Sequence, residues 1–227
     1  MNDTVLMVMS IRDFKSVVDS NNSLDCEKII FRGYTEYELS PLINNFIKES
    51  NFKYYFLTSD DCIMSKQNFD LLKFNLQFFP IISGWGVVRQ DINQTTISNV
   101  DTITNLSRGI PQVSWGVSNS NKISGPIGSY YETYEINKLP NFIKTGFTGW
   151  FFTGMSKKLW EEYPFQVCEY PSASSDMNFS LRVLKDGKYD QTIVKKARGI
   201  HLSNLNHIKV VHIHEIQARK KEIIKTF

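Results

Sequence analysis

The chain has 227 residues, a net charge of +3, and 41% hydrophobic and 22% charged residues. These values suit one sizeable globular α/β domain, exclude a disordered or fibrous chain, and give no overall charge that would call for a nucleic-acid partner. The charge is uneven, however: Lys195 to Phe227 holds eight Lys/Arg and two acids, so that segment carries +6 and the remainder −3. Such a basic end meets solvent, a phosphate or an anionic membrane surface, so peripheral membrane contact is one expectation. Cys26, Cys62 and Cys168 are far apart and odd in number, with no zinc or disulfide spacing. The N-terminus lacks a signal-peptide pattern, and no apolar run nears the ~20 residues of a membrane span. Reduced thiols and a cytoplasmic location are therefore expected.

Val5–Met9 is a continuous apolar run that reads as a first buried strand, followed by Ser10-Ile11-Arg12. Lys28–Phe31 reads as a second, ending in Arg32-Gly33. Leu39, Leu42, Ile43, Phe46 and Ile47 have helical spacing, with Ser40-Pro41 as the expected start. The aromatic run Phe52–Thr58 reads as a third strand and ends in Ser59-Asp60-Asp61-Cys62. Adjacent carboxylates at the end of a buried strand are costly unless a cation balances them, and hard divalent cations prefer such oxygens. The alternative is that Asp60 and Asp61 cap a helix starting near Ser65 or Lys66. Phe69, Leu72 and Leu76 mark that helix, stopped by Pro80, and Ile81–Val88 reads as another strand. Strand and helix patterns thus alternate through the first 90 residues, which argues for a mostly parallel sheet with helices on both faces.

Residues 91 to 145 are rich in Asn, Ser, Thr and Gly and read either as an acceptor-binding lid or as short antiparallel strands, such as Gln112–Val117 and Tyr130–Tyr134. Thr145 to Met155 is a glycine and aromatic stretch. Ser156 then caps a short helix ending at Pro164, and Ser174-Ser175-Asp176 opens a helix closed by Gly187. The four histidines cluster at 201, 207, 212 and 214.

In this order the segments resemble the GT-A glycosyltransferases: a nucleotide-binding α/β half (1–90) and an acceptor-binding half (91–227) in a single domain. Ser59-Asp60-Asp61 stands at the position of that family's D-x-D motif. Gly146–Phe165 resembles its glycine/aromatic unit, and Ser175-Asp176 through Tyr189 its acidic helix and closing turn. Ala197–His201 resembles the strand that brings a histidine to the metal. The chain departs from the pattern at two places, with Ser59 where the first acid stands and Ser175-Asp176 in place of a Glu-Asp pair.

The resemblance implies transfer of a sugar from a UDP- or GDP-sugar to a glycan, lipid or protein acceptor, with Mn²⁺ or Mg²⁺. It implies Asp61, Asp60 and His201 as metal ligands, with His212 and His214 as competitors. Asp60 could instead bind ribose or orient Asp61. It implies Ser10, Arg12, Arg32, Ser59 and Asp60 around the nucleotide, and Trp85, Gly149 and Trp150 around the acceptor. Asp176 is the expected base, or otherwise a helix cap. A sugar-phosphate nucleotidyltransferase is a rival, although Val8–Phe14 lacks the glycine of a phosphate loop. The other rival is a non-catalytic carbohydrate- or nucleotide-binding protein of degenerate transferase fold.

Overall fold

The apolar run near the N-terminus forms β1 (Thr4–Ser10), which is buried along its whole length. The computed structural model of the protein describes residues 3–11, 21–86, 94–98, 130–146, 148–167 and 175–201. Arg12, Gln112–Val117, His207, His212, His214 and most of the basic segment lie outside these residues, as does the side chain of His201. After β1 come β2 (Glu27–Arg32), α1 (Glu36–Glu49), β3 (Tyr54–Ser59), β4 (Cys62–Ile63), α2 (Lys66–Asn75) and β5 (Ile81–Trp85). Then follow β6 (Gln94–Ser98), β7 (Tyr130–Glu132), a 3-10 turn (Thr133–Lys138), β8 (Phe142–Thr145) and β9 (Thr153–Ser156). The last elements are α3 (Lys157–Glu162), α4 (Ser175–Asp186), β10 (Gln191–Arg198) and β11 (Ile200–His201).

Seven strands form one sheet in the order β2-β1-β3-β9-β5-β10-β8. β1, β2, β3, β5 and β10 run one way, whereas β9 and β8 run against them. This is the mixed α/β fold with a mostly parallel sheet that the alternating pattern leads one to expect. Strands from both sides of residue 90 interleave, with β9 lying between β3 and β5. β6 and β7 pair antiparallel outside the main sheet, so this part of residues 91–145 consists of short strands.

Alternation along the strands divides the core into two layers. Val5, Met7, Met9, Tyr55 and Leu57 face α1, α3 and α4, whereas Leu6, Val8 and Phe56 face α2. Leu39, Ile43 and Ile47 form the buried stripe of α1 at i, i+4, i+8, each contributing about 1.5–3 kcal/mol through burial. This helix begins earlier than its apolar spacing suggests. Thr35 is the N-cap, its hydroxyl accepting from Glu38 N, while the Glu38 carboxylate reaches back to Tyr34 N at 2.8 Å. Pro41 sits inside the helix, and Ser40 donates to Phe165 O rather than capping. A proline this close to a helix start removes only one hydrogen bond, so the upstream cap prevails. Among the described residues no helix is long and apolar enough to cross a membrane.

One buried polar network joins α4 to the sheet. Gln191 accepts from Thr148 Oγ1 at 2.9 Å and donates to Gly146 O and Ser180 O, while Ser180 Oγ accepts from Thr148 N. Gln191→Leu strips partners from several buried groups, each worth about 1–3 kcal/mol when left unpaired. The expected result is a loss of about 2–4 kcal/mol, read as a lower urea midpoint at unchanged slope. A wild-type midpoint would show that the network contributes nothing.

Candidate functional site

β2 lies on one side of β1 and β3 on the other, so the order of connection reverses between β1 and β3. In open α/β sheets, ligands bind beyond the carboxyl ends of strands at such a reversal. Here those ends are Ser10, Arg32 and Ser59. Ser10 is in register with Arg32, and Met9 with Ser59, so Ser59 stands one step before that pair and Asp60, the next residue, continues the row of Ser10 and Arg32.

Asp60 and Asp61 are 1% and 2% exposed. Neither caps the next helix. β4 intervenes, and α2 is capped by Ser65, whose hydroxyl accepts from Asn68 N. The turn is held by Ser59 N donating to Trp150 O, and by the Cys62 thiol, 3.4 Å from Ser59 Oγ and 3.5 Å from Asp61 Oδ1. His201 arrives here through the backbone: β11 pairs antiparallel with β4, and His201 is in register with Cys62, next to Asp61. Gly199 permits this approach, since a Cβ there would stand 2.5 Å from Ile63 O and 2.7 Å from the Phe151 ring.

Two buried side-chain polar atoms among the described residues lack a hydrogen-bond partner, Ser10 Oγ and Asn21 Oδ1. Ser10 stands in the row just described. Asn21, 1% exposed, reaches the same turn through a long 3.5 Å bond from its Nδ2 to Cys62 O. Buried polar groups are nearly always paired, so orphans flanking one turn point to an additional polar partner. Ser10 was legible as the residue after a strand. Asn21 was not, because nothing local in its neighbourhood marks it.

The glycine/aromatic stretch reaches the same edge. Residues 149–152 precede β9, which runs antiparallel, so they sit at the same sheet edge. Trp150 O accepts from Ser59 N, and Phe151 O accepts from Gly84 N and from Ser83 Oγ, which joins the ends of β3 and β5. Phe152 adopts φ 55°, an uncommon conformation for an aromatic residue and a point of stored backbone strain. Gly149 is half-buried at this edge. The two indoles expected around the acceptor, Trp85 and Trp150, are both buried. Trp150 is 4% exposed and packs on Trp160, Phe165 and Phe179, with Nε1 donating to Ser175 Oγ at 2.7 Å. Trp85, also 4% exposed, donates to Lys195 O and lies beneath the Arg198 guanidinium. Both rings are occupied by the protein itself because their large apolar area is worth more in the core.

Asp176 is half-buried in the first turn of α4, one residue past the helix start and so beyond the capping position. Because α4 leads into β10, its first turn lies toward the carboxyl edge of the sheet. The backbone N–H of Ser175 donates to Glu36 Oε2 at 2.8 Å, from the first residue of α1. Burial pushes the Glu36 carboxyl above the usual range, and its bonds from the Ser175 N–H and hydroxyl partly offset this. Sequence reasoning missed Glu36, since a partner 139 residues away leaves no local signal.

Among the described residues no group of three or more His, Cys, Asp or Glu side chains gathers as a complete metal cage. The two adjacent carboxylates suit a hard cation of the kind held by one or two carboxylates and completed by substrate phosphates and water.

Among solved structures, the chain is similar to A197 from STIV, at 11% identity over 86% of this chain and 82% of that one, with a TM-score of 0.52. The likeness is one of fold. The chain also overlaps the inositol-1-phosphate CTP transferase from T. maritima, at 11% identity over 96% of this chain and 78% of that one; the TM-score of 0.40 is too low to argue from. No family model matches the chain, and no curated protein matches it in sequence.

Proposed function

We propose that the carboxyl edge of the sheet binds a UDP- or GDP-sugar with Mn²⁺ or Mg²⁺ and transfers the sugar to an acceptor hydroxyl on a glycan, lipid or protein. The observation that carries this reading is the pair of buried carboxylates at the strand-order reversal, flanked by the unpartnered Ser10 hydroxyl and Asn21 carbonyl. Asp61 and Asp60 would hold the cation, with His201 adjacent in register, and the bound cation would supply Lewis-acid stabilisation of the charge growing on the departing diphosphate. Ser10 would donate to a ribose or phosphate oxygen, and Arg32, exposed at the end of β2, would face the phosphates or base. Asp176 would accept the acceptor's hydroxyl proton while that oxygen bonds to the anomeric carbon and the bond to the diphosphate breaks.

Calorimetric titration of UDP and of GDP, in Mn²⁺ and in EDTA, tests the binding half. Affinity is expected to rise by about tenfold or more with metal, since a cation shared by carboxylate and phosphate adds charge-assisted contacts. Equal affinity in both buffers would remove the metal from the reading.

A further inference from the structure

We infer that Glu36 is a positioning residue, which ties the first turn of α4 to the start of α1 and so fixes where Asp176 stands over the nucleotide half. This deepens the reading above and rests on Asp176 acting as the base. The first amides of a helix lack intrahelical partners, and a capping residue serves only the second or third of them. In α4 the amide of the first residue, Ser175, is met by a carboxylate from another helix, at 2.8 Å and across 139 residues. A carboxylate there also meets the positive end of the α4 dipole.

The tie continues inward. Ser175 is fully buried, its hydroxyl engages Glu36, and the same oxygen accepts from Trp150 Nε1. Trp150 in turn accepts from Ser59 N beside the acidic turn. Glu36, Ser175, Trp150 and Ser59 therefore form one continuous path from the start of α1 past the base candidate to the carboxylate pair. Asp176 is the next residue after Ser175, so displacing Ser175 displaces it directly. A simple cap would need neither the buried hydroxyl nor the indole.

The test compares Glu36→Ala with Glu36→Gln, which keeps an oxygen to accept from the Ser175 amide. Hydrogen exchange reads the tie without reference to any activity. In Glu36→Ala the amides of residues 175–178 should exchange about tenfold faster, the worth of one lost charge-assisted bond, while those of 183–186 stay at wild-type rates. Transfer should fall by about 10²-fold in kcat, as expected when a catalytic group is misplaced by an ångström, with nucleotide affinity within about twofold of wild type. Glu36→Gln should restore both. Unchanged exchange and turnover in Glu36→Ala would overturn the tie. Faster exchange with unchanged kcat would overturn the positioning role. Failure of the base reading shows separately, as full activity of Asp176→Asn. If Glu36 acts through Asp176, adding Glu36→Ala to Asp176→Asn should cost nothing further, and an additive loss would overturn the inference.

Discussion

Asp61→Ala is expected to abolish transfer and metal-strengthened nucleotide binding while leaving the fold intact. Asp61 sits in the turn between β3 and β4, 2% exposed and next to a second buried carboxylate. The loss is confined to ligand binding and chemistry: without the carboxylate that would hold the cation, transfer should fall by about 10³-fold or more. Thermal unfolding without metal should stay close to the wild-type temperature, since the bond from the Cys62 thiol to the Asp61 carboxylate is a weak 3.5 Å contact, and the metal-dependent gain in UDP or GDP affinity should vanish. Wild-type turnover by Asp61→Ala would show that another residue holds the cation.

Asp176→Asn separates chemistry from binding. Asn keeps the size and the local hydrogen-bonding capacity of Asp but cannot take a proton, so transfer should drop by about 10²–10⁴-fold. Nucleotide affinity should not change, because the residues proposed to hold the nucleotide, Ser10, Asp60 and Asp61, are not on α4. The stability cost should be small, at most about 1 kcal/mol from the lost charge in the first turn of α4. Transfer at the wild-type rate would remove Asp176 as the base and favour a retaining reaction. Loss of folding together with activity would make Asp176 structural.

Much of the fold is legible in the sequence because its central strands are buried on both faces. Such strands read as continuous apolar runs, as Val5–Met9 and Phe52–Thr58 do. The position of β9 between β3 and β5 is not legible, since partner choice among strands is set by the packed sheet rather than by local pattern. Gly154 belongs to that choice: it faces Phe56 across the strand pair, and a Cβ would stand 2.3 Å from that ring. The acidic turn announces itself because charge interrupts an apolar run. The binding expectation for Trp85 and Trp150 rested on the resemblance and on residue type, and neither distinguishes an exposed indole from one whose N–H is satisfied in the core. Asn21 and Glu36 gain their meaning from partners distant in the chain, Cys62 and Ser175, and local reading cannot supply those.

The interleaving of the sheet bears on how the chain could be divided. A cut anywhere between residues 99 and 129 would leave one piece carrying β1, β2, β3 and β5 and another carrying β8, β9 and β10. Neither piece could close its own sheet: the first lacks the strand between β3 and β5, and the second lacks both neighbours of β9. Each alone would present unpaired strand edges over apolar surface, the usual route to aggregation. Mixed together, they can restore β9 between β3 and β5 and β10 beside β5, which returns the two aspartates of one piece and Asp176 of the other to one sheet. The chain thus offers a split pair whose reassembly is read by the return of the seven-stranded sheet.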